Sequence, residues 1–340
     1  FEKCAKFTAA REAIKAGYYP YFLPLENTEG TEITIAGHRL IMIGSNNYLG
    51  LTTHPKVKQA AIDAVCKYGT SCTGSRFLNG TLDIHLELEK KLADLVRKPA
   101  ALIFSTGYQV NVGTISALMG RGDIVITDRE DHASILDGVR MSMADMKRFP
   151  HNDMAGLERV LKGCPEGAAK LVVVDGIFSM AGDIAPLPQI VELCQQYRAA
   201  LMVDDAHSVG VLGGGRGTAE HFGVTEGVDL IMGTFSKSFA SLGGFIAGSE
   251  EMIDYIKHYA RSLIYSASMP PSAVAAVSAA IDVMLEEPER IERLWAVSDR
   301  MRRELNAMGY QTGTRCTPII PVVIGDDMKT LLSWRAMFDA

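Results

Sequence analysis

Short apolar runs alternate with amphipathic stretches over most of the first 250 residues. Residues 171–174 and 201–203 are apolar at every position, which is typical of strands buried on both faces of a parallel sheet. This alternation favours an α/β fold, in which a mainly parallel sheet lies between two helix layers. The pattern predicts strands at 100–105, 123–128, 145–149, 170–175, 200–204, 228–235 and 243–247, and helices at 55–68, 82–97, 108–119, 133–142, 153–163 and 186–198.

The two ends of the chain follow other patterns. Residues 1–17 have helical spacing, and residues 33–35 with 39–43 predict a hairpin. After about residue 250, the pattern predicts helices that begin near 251, 271 and 289, then a strand at 318–324 and a helix at 329–340. We therefore expect an N-terminal helix and hairpin segment (1–50), a large domain (51–250) and a smaller C-terminal α+β domain (251–340) that is incomplete.

Composition and charge narrow the class of protein. The chain has 340 residues, of which 47% are hydrophobic and 22% charged, and its net charge is -6. This balance is ordinary for a globular protein and disfavours nucleic acid as a partner. No apolar run reaches the ~20 residues of an integral membrane segment. The first residue is Phe1, so we expect a trimmed N-terminus, and no signal-peptide core follows it.

The six cysteines are scattered, at positions 4, 66, 72, 164, 194 and 316. They form no CxxC pair and no cluster with histidine, so the sequence indicates no metal site and no disulfide framework. We expect six reduced thiols in a cytoplasmic protein. Peripheral association with the inner membrane is left open.

Lys237 is the residue that carries the most chemical information. It follows the apolar run 228–232 and stands between two serines, in Thr-Phe-Ser-Lys-Ser. A lysine just past a buried strand favours a desolvated amine with a lowered pKa, which can form an imine and later act as a base. A solvated surface lysine is the alternative, and the lysine alone does not decide between them.

Asp204 and His207 follow a neighbouring strand. An acid at the carboxyl end of a central parallel strand lies at the usual ligand edge of such a sheet. Together with Lys237 they match the needs of a pyridine aldehyde cofactor: the carboxylate keeps the ring nitrogen protonated and the imidazole holds the ring oxygen. Asp205 is expected to point to the opposite face. The alternative is an aspartate that caps a turn and a satisfied loop histidine.

A phosphate site is predicted where strand 100–104 meets the next helix. Free N–H groups at a helix N-terminus bind phosphate, and Gly107 allows a close approach to the backbone. Thr234 and Ser236 offer hydroxyls to the same phosphate. The alternative is a strand–glycine–helix turn without a ligand.

Three further features lie past strand ends. His132 could stack on the face of a cofactor ring, although a histidine at a helix entry is as good an interpretation. Ser179 follows strand 170–175. The glycine-rich run 213–217 does not join a strand to a helix, so we interpret it as a mobile surface loop and disfavour a nicotinamide dehydrogenase.

In combination these residues resemble the α-oxoamine synthases, fold-type-I enzymes that use pyridoxal 5'-phosphate. The match runs from about residue 18 to the end of the chain. It rests on several motifs in one order: Ser-Asn-Asn-Tyr-Leu-Gly-Leu at 45–51, Gly-Ser-Arg-Phe-Leu-Asn-Gly at 74–80 with His85 and 87–89, Asp-His-Ala-Ser at 131–134, Phe-Ser-Met-Ala-Gly-Asp at 178–183, Asp-Asp-Ala-His-Ser at 204–208, Lys237, and Ser-Ala-Ser-Met-Pro-Pro at 266–271.

The resemblance implies a three-layer αβα fold of type I and a role for each matching residue. Lys237 would bind the cofactor aldehyde and shuttle the proton, Asp204 would pair with the ring nitrogen and His207 with the ring oxygen. His132 would stack on the ring and touch the substrate carboxylate. The other implied contacts are Ala206 on the far ring face, Gly107, Tyr108, Thr234 and Ser236 at the phosphate, Ser179 at the cofactor, Ser266 and Ala267 at the phosphate from a partner subunit, and Asn47 near the substrate.

The motif around Lys237 also indicates a branch of the family. Thr-Phe-Ser-Lys-Ser resembles the branch that joins L-serine to a long-chain acyl-CoA with loss of CO2, whereas other branches usually carry Thr-Leu-Gly-Lys. A homodimer with shared active sites is implied. The family also has an arginine near the substrate carboxylate in a region past residue 340, so we expect the chain to be a fragment in which substrate anchoring cannot be checked.

Three rival functions follow from these observations. Another α-oxoamine synthase would use alanine or glycine with a different acyl-CoA. An aminotransferase could share the fold and would release neither CO2 nor coenzyme A. A non-catalytic partner subunit is disfavoured because Lys237, Asp204 and His207 are all present.

Overall fold

A computed structural model describes residues 1–313 and 317–340 of the chain. The N-terminal segment carries two short helices, α1 (Glu2–Lys6) and α2 (Ala9–Ala16). A small antiparallel sheet follows, made of β1 (Asn27–Glu29), β2 (Glu32–Ile35) and β3 (His38–Ile41). The predicted hairpin is therefore confirmed as β2 and β3, whereas the helical pattern of residues 1–17 forms two helices that are separated at Phe7 and Thr8.

The central sheet contains every strand predicted between residues 100 and 248. Its strands are β4 (Ala100–Phe104), β5 (Ile124–Asp128), β6 (Asp145–Phe149), β7 (Lys170–Asp175), β8 (Ala200–Asp204), β9 (Leu230–Thr234) and β10 (Gly244–Gly248). The spatial order is β4-β10-β9-β8-β7-β5-β6. Strand β10 is antiparallel to both neighbours, and the remaining pairs are parallel. The mainly parallel sheet is thus confirmed.

Alternate side chains of each strand enter two different cores, which makes the molecule three-layered. In β7, Val172 and Val174 belong to one core and Leu171 and Val173 to the other. The first core is covered by α3 (Pro55–Tyr68), α4 (Asp83–Val96), α7 (Met154–Lys162), α8 (Leu187–Tyr197) and α12 (Pro271–Glu286). The second is covered by α5 (Gly107–Leu118), α6 (Ala133–Ser142), α10 (Glu250–Tyr259) and α11 (Arg261–Ile264). Burial of β7 on both faces explains its uninterrupted apolar sequence.

Three more helices complete the described chain: α9 (Thr218–His221), α13 (Glu289–Ala307) and α14 (Asp327–Asp339). None of the helices described combines the length and apolarity needed to cross a membrane. Cys4, Cys66, Cys72, Cys164 and Cys194 are free, while Cys316 lies outside the described residues. The division into domains at residues 50 and 250 stays a prediction.

The predicted strand at 318–324 is wrong. These residues have no regular secondary structure. A strand needs a ladder of hydrogen bonds to a neighbour, and here the described chain provides a single backbone bond, from Val323 N–H to Gln311 O at 3.1 Å. The apolar composition of the segment favoured a strand, but no strand of the described chain lies beside it.

The glycine-rich run 213–217 is also not the surface loop that its composition favours. Gly215 and Gly217 are buried and have φ angles of 89° and 109°, which an L side chain rarely adopts. A Cβ at Gly217 would lie 2.2 Å from Asp205 Oδ2, and one at Gly215 would lie 2.8 Å from Met284 Sδ. The run is therefore a tight turn that packs against the core through Gly215 and Gly217, while Gly214 stays exposed.

Candidate active site

A cavity of about 280 Å³ opens at the carboxyl-terminal edge of the central sheet. Ligands of open α/β sheets usually bind at this edge because the loops that follow parallel strands converge there. The cavity is lined by Thr106, Gly107, Tyr108, Asn111, His132, Ser134, Asp175, Ile177, Ser179, Asp204, Ala206, His207, Met232, Thr234, Ser236, Lys237, Leu242 and Gly243. The structure thus brings together most of the residues that the sequence predicted for one site.

Lys237 follows β9 and its side chain is half-buried at the cavity. Burial lowers the pKa of its ammonium group, and the charges of Asp204 and Asp175 partly oppose this shift. A lower pKa increases the fraction of neutral amine, which is the form that attacks an aldehyde. The adjoining loop is anchored because Phe235 and Phe239 are fully buried. Lys237 is therefore a partly desolvated amine on an anchored loop.

Asp204 ends β8 and is 4% exposed. Its Oδ1 accepts a hydrogen bond from the backbone N–H of Ala206 at 3.0 Å, and its Oδ2 accepts one from Asn111 Nδ2 at 2.7 Å. These two donors fix the plane of the carboxylate. Asp205, in contrast, lies outside the cavity lining and accepts a bond from the N–H of Thr218 at 2.9 Å. Asp204 is thus the acid that faces the cavity.

His207 lies in the turn after β8, and its Nδ1 is 2.7 Å from the hydroxyl of Tyr48. Burial, together with the charges of Lys237 and His132, lowers the pKa of His207 to about 3. Burial also raises the pKa of the Tyr48 phenol. Both groups are therefore neutral at physiological pH, and Tyr48 holds one ring nitrogen of His207 while the other stays available to a ligand.

His132 is the N-cap of α6 and its ring stands at the mouth of the cavity. Its Nδ1 accepts a hydrogen bond from the backbone N–H of Ser134 at 3.3 Å and lies 2.7 Å from Ser134 Oγ. His132 is exposed to solvent, so a molecule that enters the cavity can contact it. Its position is set by the start of the helix.

The N-terminus of α5 forms a concave surface next to two hydroxyls. Thr106 caps this helix by accepting the N–H of Gln109 at 3.2 Å. Thr234 Oγ1 donates to Gly243 O at 3.1 Å and lies 3.0 Å from Ser236 Oγ. A Cβ at Gly107 would lie 2.7 Å from Thr234 Oγ1. Only glycine therefore leaves the backbone N–H groups close to the hydroxyls, which is the arrangement that binds a phosphate.

Ser179 reaches the cavity from a loop between β7 and α8. This loop is closed by the N–H of Phe178 on Asp183 O at 2.9 Å and by the N–H of Gly182 on Phe178 O at 2.8 Å. The imidazole of His151 bridges it to the sheet, with Nε2 2.7 Å from Asp183 Oδ2 and Nδ1 2.9 Å from Asp128 Oδ1. The position of Ser179 thus depends on a network outside the cavity.

Three predicted residues do not line the cavity of their own chain. The side chain of Asn47 is occupied in a turn, where it donates to Thr52 Oγ1 at 2.9 Å and accepts from the N–H of Leu51 at 3.1 Å. Ser266 Oγ accepts from Gln109 Nε2 at 3.1 Å, and Ala267 O accepts from the hydroxyl of Ser105. The predicted substrate role of Asn47 and the predicted phosphate role of the other two stay predictions.

The structure also adds cavity residues to which the sequence assigned no role. Ser134 lies in the motif at 131–134 and Asn111 in the helix predicted at 108–119, yet their hydrogen bonds join segments far apart in sequence. Asp175 is a parallel-strand neighbour of Asp204. Burial raises the pKa of Asp175 well above its usual value, and the charges of Asp204 and Asp131 add to this shift. A signal existed only for Asp175, as an acid at a strand end.

These residues fit pyridoxal 5'-phosphate. Lys237 supplies the amine for its aldehyde, Asp204 a fixed anion for its ring nitrogen, and His207 a neutral ring for its oxygen. The α5 N-terminus at Gly107 supplies the phosphate cradle that a Cβ would fill. In addition, a buried oxygen of Asp175 at the cavity has no hydrogen-bond partner among the described residues, which a bound polar molecule would explain.

Comparisons with known proteins agree with this site. Residues 38–340 match the family described as aminotransferase class I and II. A serine palmitoyltransferase of Sphingobacterium spiritivorum is 52% identical over 339 residues, which cover 99% of this chain and 85% of that protein. The 8-amino-7-oxononanoate synthase 1 of Bacillus subtilis is 47% identical over 304 residues, covering 89% of this chain and 78% of that protein.

A solved structure extends the likeness to three dimensions. A serine palmitoyltransferase of S. paucimobilis, solved with a bound PLP–myriocin aldimine, superposes with a TM-score of 0.95 at 37% identity. The match covers 98% of this chain and 88% of that one. The chain therefore belongs to the aminotransferase class I and II family and, within it, to the α-oxoamine synthases, the group that includes the serine palmitoyltransferases.

Proposed function

We propose that the chain catalyses the decarboxylating condensation of L-serine with a long-chain acyl-CoA such as palmitoyl-CoA. The products are 3-ketodihydrosphingosine, coenzyme A and CO2, and the reaction is the first step of sphingolipid synthesis. The observation that carries this proposal is one cavity that joins the partly desolvated Lys237 to Asp204 and His207, in a chain 52% identical to a serine palmitoyltransferase.

Pyridoxal 5'-phosphate, when bound, supplies an aldehyde for the amino group and a ring that accepts electrons from a bond broken at Cα. The chain's own residues hold and orient the reactants. Gly107, Thr234 and Ser236 would bind the phosphate, and Asp204 would hold a proton on the ring nitrogen. Ala206 and His132 would enclose the ring, and His132 would also donate to the serine carboxylate.

Lys237 is the proton carrier in this proposal. Its neutral amine removes the proton from Cα of serine and later, as the ammonium group, returns a proton to the product carbon; burial favours this exchange because it lowers the pKa of the amine. Between these transfers a bond forms from Cα to the acyl carbonyl carbon while the thioester C–S bond breaks, and coenzyme A leaves as a thiolate that takes a proton from solvent. The bond from Cα to the serine carboxylate then breaks and releases CO2, and its electrons stay on Cα, where the proton from Lys237 is placed. Fixed charged groups at the site, such as Asp204, stabilise the charge that develops during these steps.

We propose a homodimer in which each subunit completes the site of the other. Ser266 and Ala267 lie outside the cavity of their own chain, so a phosphate contact from them requires a second subunit. Phe77, Leu78 and Tyr265 are exposed by 59%, 80% and 74%, and large exposed apolar side chains are typical of surfaces that bind a partner.

The homodimer is tested by sedimentation. We expect a dimer for the unmodified chain and a monomer, or a strongly weakened dimer, for Leu78→Glu, because a charge on a buried apolar interface is costly to desolvate. The matched control is Leu285→Glu on α12, at a leucine that is 52% exposed, which should remain dimeric. A monomeric unmodified chain would contradict the proposal.

The second candidate is 8-amino-7-oxononanoate synthesis, because a relative with that name is 47% identical. Mass spectrometry distinguishes the two. The purified chain is incubated with a panel of L-serine, L-alanine and glycine, each with palmitoyl-CoA and with pimeloyl-CoA. We expect 3-ketodihydrosphingosine from the serine and palmitoyl-CoA pair to exceed all other products. A dominant product from alanine and pimeloyl-CoA would replace the proposal with the second candidate.

A further inference from the structure

The amide of Asn111 joins two groups of the proposed site that lie on different strands. Asn111 is fully buried in α5. Its Nδ2 lies 2.7 Å from Asp204 Oδ2 and 2.8 Å from Ser134 Oγ. An ionised carboxylate can only accept hydrogen bonds, so the nitrogen of the amide, and not its oxygen, must face Asp204. Both N–H donors of the amide are then used, one on each partner.

The hydroxyl of Ser134 links Asn111 to the ring of His132. Because Ser134 Oγ accepts from Asn111, its own proton is free to donate to His132 Nδ1, which is 2.7 Å away. The backbone N–H of Ser134 points at the same nitrogen, at 3.3 Å. Two donors that converge on Nδ1 require it to be an acceptor. A neutral imidazole in this position must carry its proton on Nε2.

We infer that Asn111 and Ser134 are positioning residues, which fix His132 as its Nε2–H tautomer and tie the ring to the carboxylate of Asp204. This inference rests on the proposed function, because that function gives His132 and Asp204 their roles toward cofactor and substrate. Its consequence is that His132 presents an N–H donor to the serine carboxylate and does not act as a base.

A purely structural role for Asn111 fits the structure less well. Its Oδ1 is buried and has no hydrogen-bond partner among the described residues. Buried side-chain acceptors normally have a hydrogen-bond partner. Since this carbonyl has none among the described residues, it gives no reason for an amide at position 111. The two N–H donors are the groups that the site uses.

The tautomer can be measured directly in the 340-residue chain, with and without pyridoxal phosphate. Long-range nitrogen NMR of histidine-labelled protein separates protonated from unprotonated ring nitrogens, and His132→Gln assigns the signals. We expect a single tautomer with the proton on Nε2 and an unprotonated Nδ1 in both samples. A proton on Nδ1, or two averaged nitrogens, would overturn the inference.

Variants of Ser134 test the last link. Ser134→Ala removes the hydroxyl donor, and we expect a mixture of His132 tautomers. Ser134→Thr keeps a hydroxyl and should restore the single Nε2–H form. The matched control is Ser142→Ala, at another buried serine of α6, whose hydroxyl bonds to Val139 O; it should leave His132 unchanged. An unaltered single tautomer in Ser134→Ala would remove Ser134 from the network.

Asn111→Asp tests the link to Asp204, because it keeps the shape of the side chain but loses the donors. It places a second carboxylate about 2.7 Å from Asp204. We expect a mixture of the two His132 tautomers in the cofactor-free protein. We also expect the dissociation constant for pyridoxal phosphate to rise by about tenfold or more. An unchanged tautomer and an unchanged dissociation constant would refute the coupling. The tautomer does not depend on condensation activity, so a chain that keeps it but makes no product refutes the proposed function alone.

Discussion

At the scale of single residues, the chemistry depends on which of two adjacent acids faces the cavity. The sequence could assign Asp204 to the cavity because side chains alternate along a strand. It could not find the amide of Asn111 or the phenol of Tyr48, since hydrogen bonds that span 93 and 159 positions leave no spacing pattern. Lys237, Asp204 and His207 were predictable because Asp204 is the last residue of its strand and the other two follow a strand end.

Asp204 and Asp205 form a matched pair for mutation. Asp204→Asn keeps the shape but cannot hold a proton on the ring nitrogen, so we expect kcat to fall at least about a hundredfold. Asp205→Asn should instead lower the free energy of unfolding by about 1–3 kcal/mol, because the buried acceptor for the Thr218 N–H is altered. Steady-state kinetics and urea denaturation measure the two effects; equal losses of kcat in both variants would contradict the assignment.

Gly107 tests the phosphate cradle. Gly107→Ala brings a Cβ to 2.7 Å from Thr234 Oγ1, and the displacement of either group should weaken pyridoxal phosphate binding by about tenfold or more. The control is Gly120→Ala, beyond the other end of α5, where the nearest atom is 3.9 Å from the added Cβ. Cofactor titration followed by absorbance gives both dissociation constants. Equal affinities in the two variants would refute the cradle.

At the scale of elements, the alternating pattern located every strand of the central sheet. It failed at 318–324, since whether an apolar run forms a strand depends on a partner that its own sequence does not encode.

The 74–80 motif and His85 received no structural role from the sequence. The Ser268 N–H donates to Gly74 O at 3.0 Å. His85 Nδ1 accepts from the N–H of Leu82 at 3.0 Å, so Nε2 donates to Met269 O at 3.1 Å. The motif thus anchors the 266–269 segment.

The bridge through His151 predicts a pH-dependent stability of the loop that carries Ser179. Burial opposes the charged imidazole, but hydrogen bonds and charges from Asp128 and Asp183 outweigh it, so the pKa of His151 is raised. The charged bridge therefore stabilises the folded protein. This stabilisation is complete below pH 6.5, the pKa of a histidine in the unfolded chain, and is lost as the pH rises through the higher pKa of the folded state.

The measurement compares the unmodified chain with His151→Gln by urea denaturation at pH 6 and pH 9. We expect the difference in unfolding free energy between the two proteins to be larger at pH 6. The control is His221→Gln, at a histidine for which the described chain shows no ion pair. A difference that grows toward pH 9 would contradict the charged bridge.

At the scale of the whole molecule, the three-layer architecture and the family were both predictable from the sequence. Burial on both faces gives a parallel sheet its uninterrupted apolar runs, and many motifs in one order are specific to one family. The surface of the proposed dimer was not predictable from the pattern, because an exposed side chain such as Leu78 does not identify its own partner. The choice between serine and alanine as substrate was also not predictable from the pattern, because enzymes of one fold can differ in substrate through a few contacts in the active site.

The central claim is that Lys237 binds the aldehyde of pyridoxal phosphate. The most direct measurement incubates the full chain with pyridoxal phosphate, reduces it with borohydride, and locates the modification by peptide mass spectrometry. We expect one phosphopyridoxyl group on Lys237, and none after Lys237→Ala. A group found on other lysines alone, or no modification at all, would contradict it.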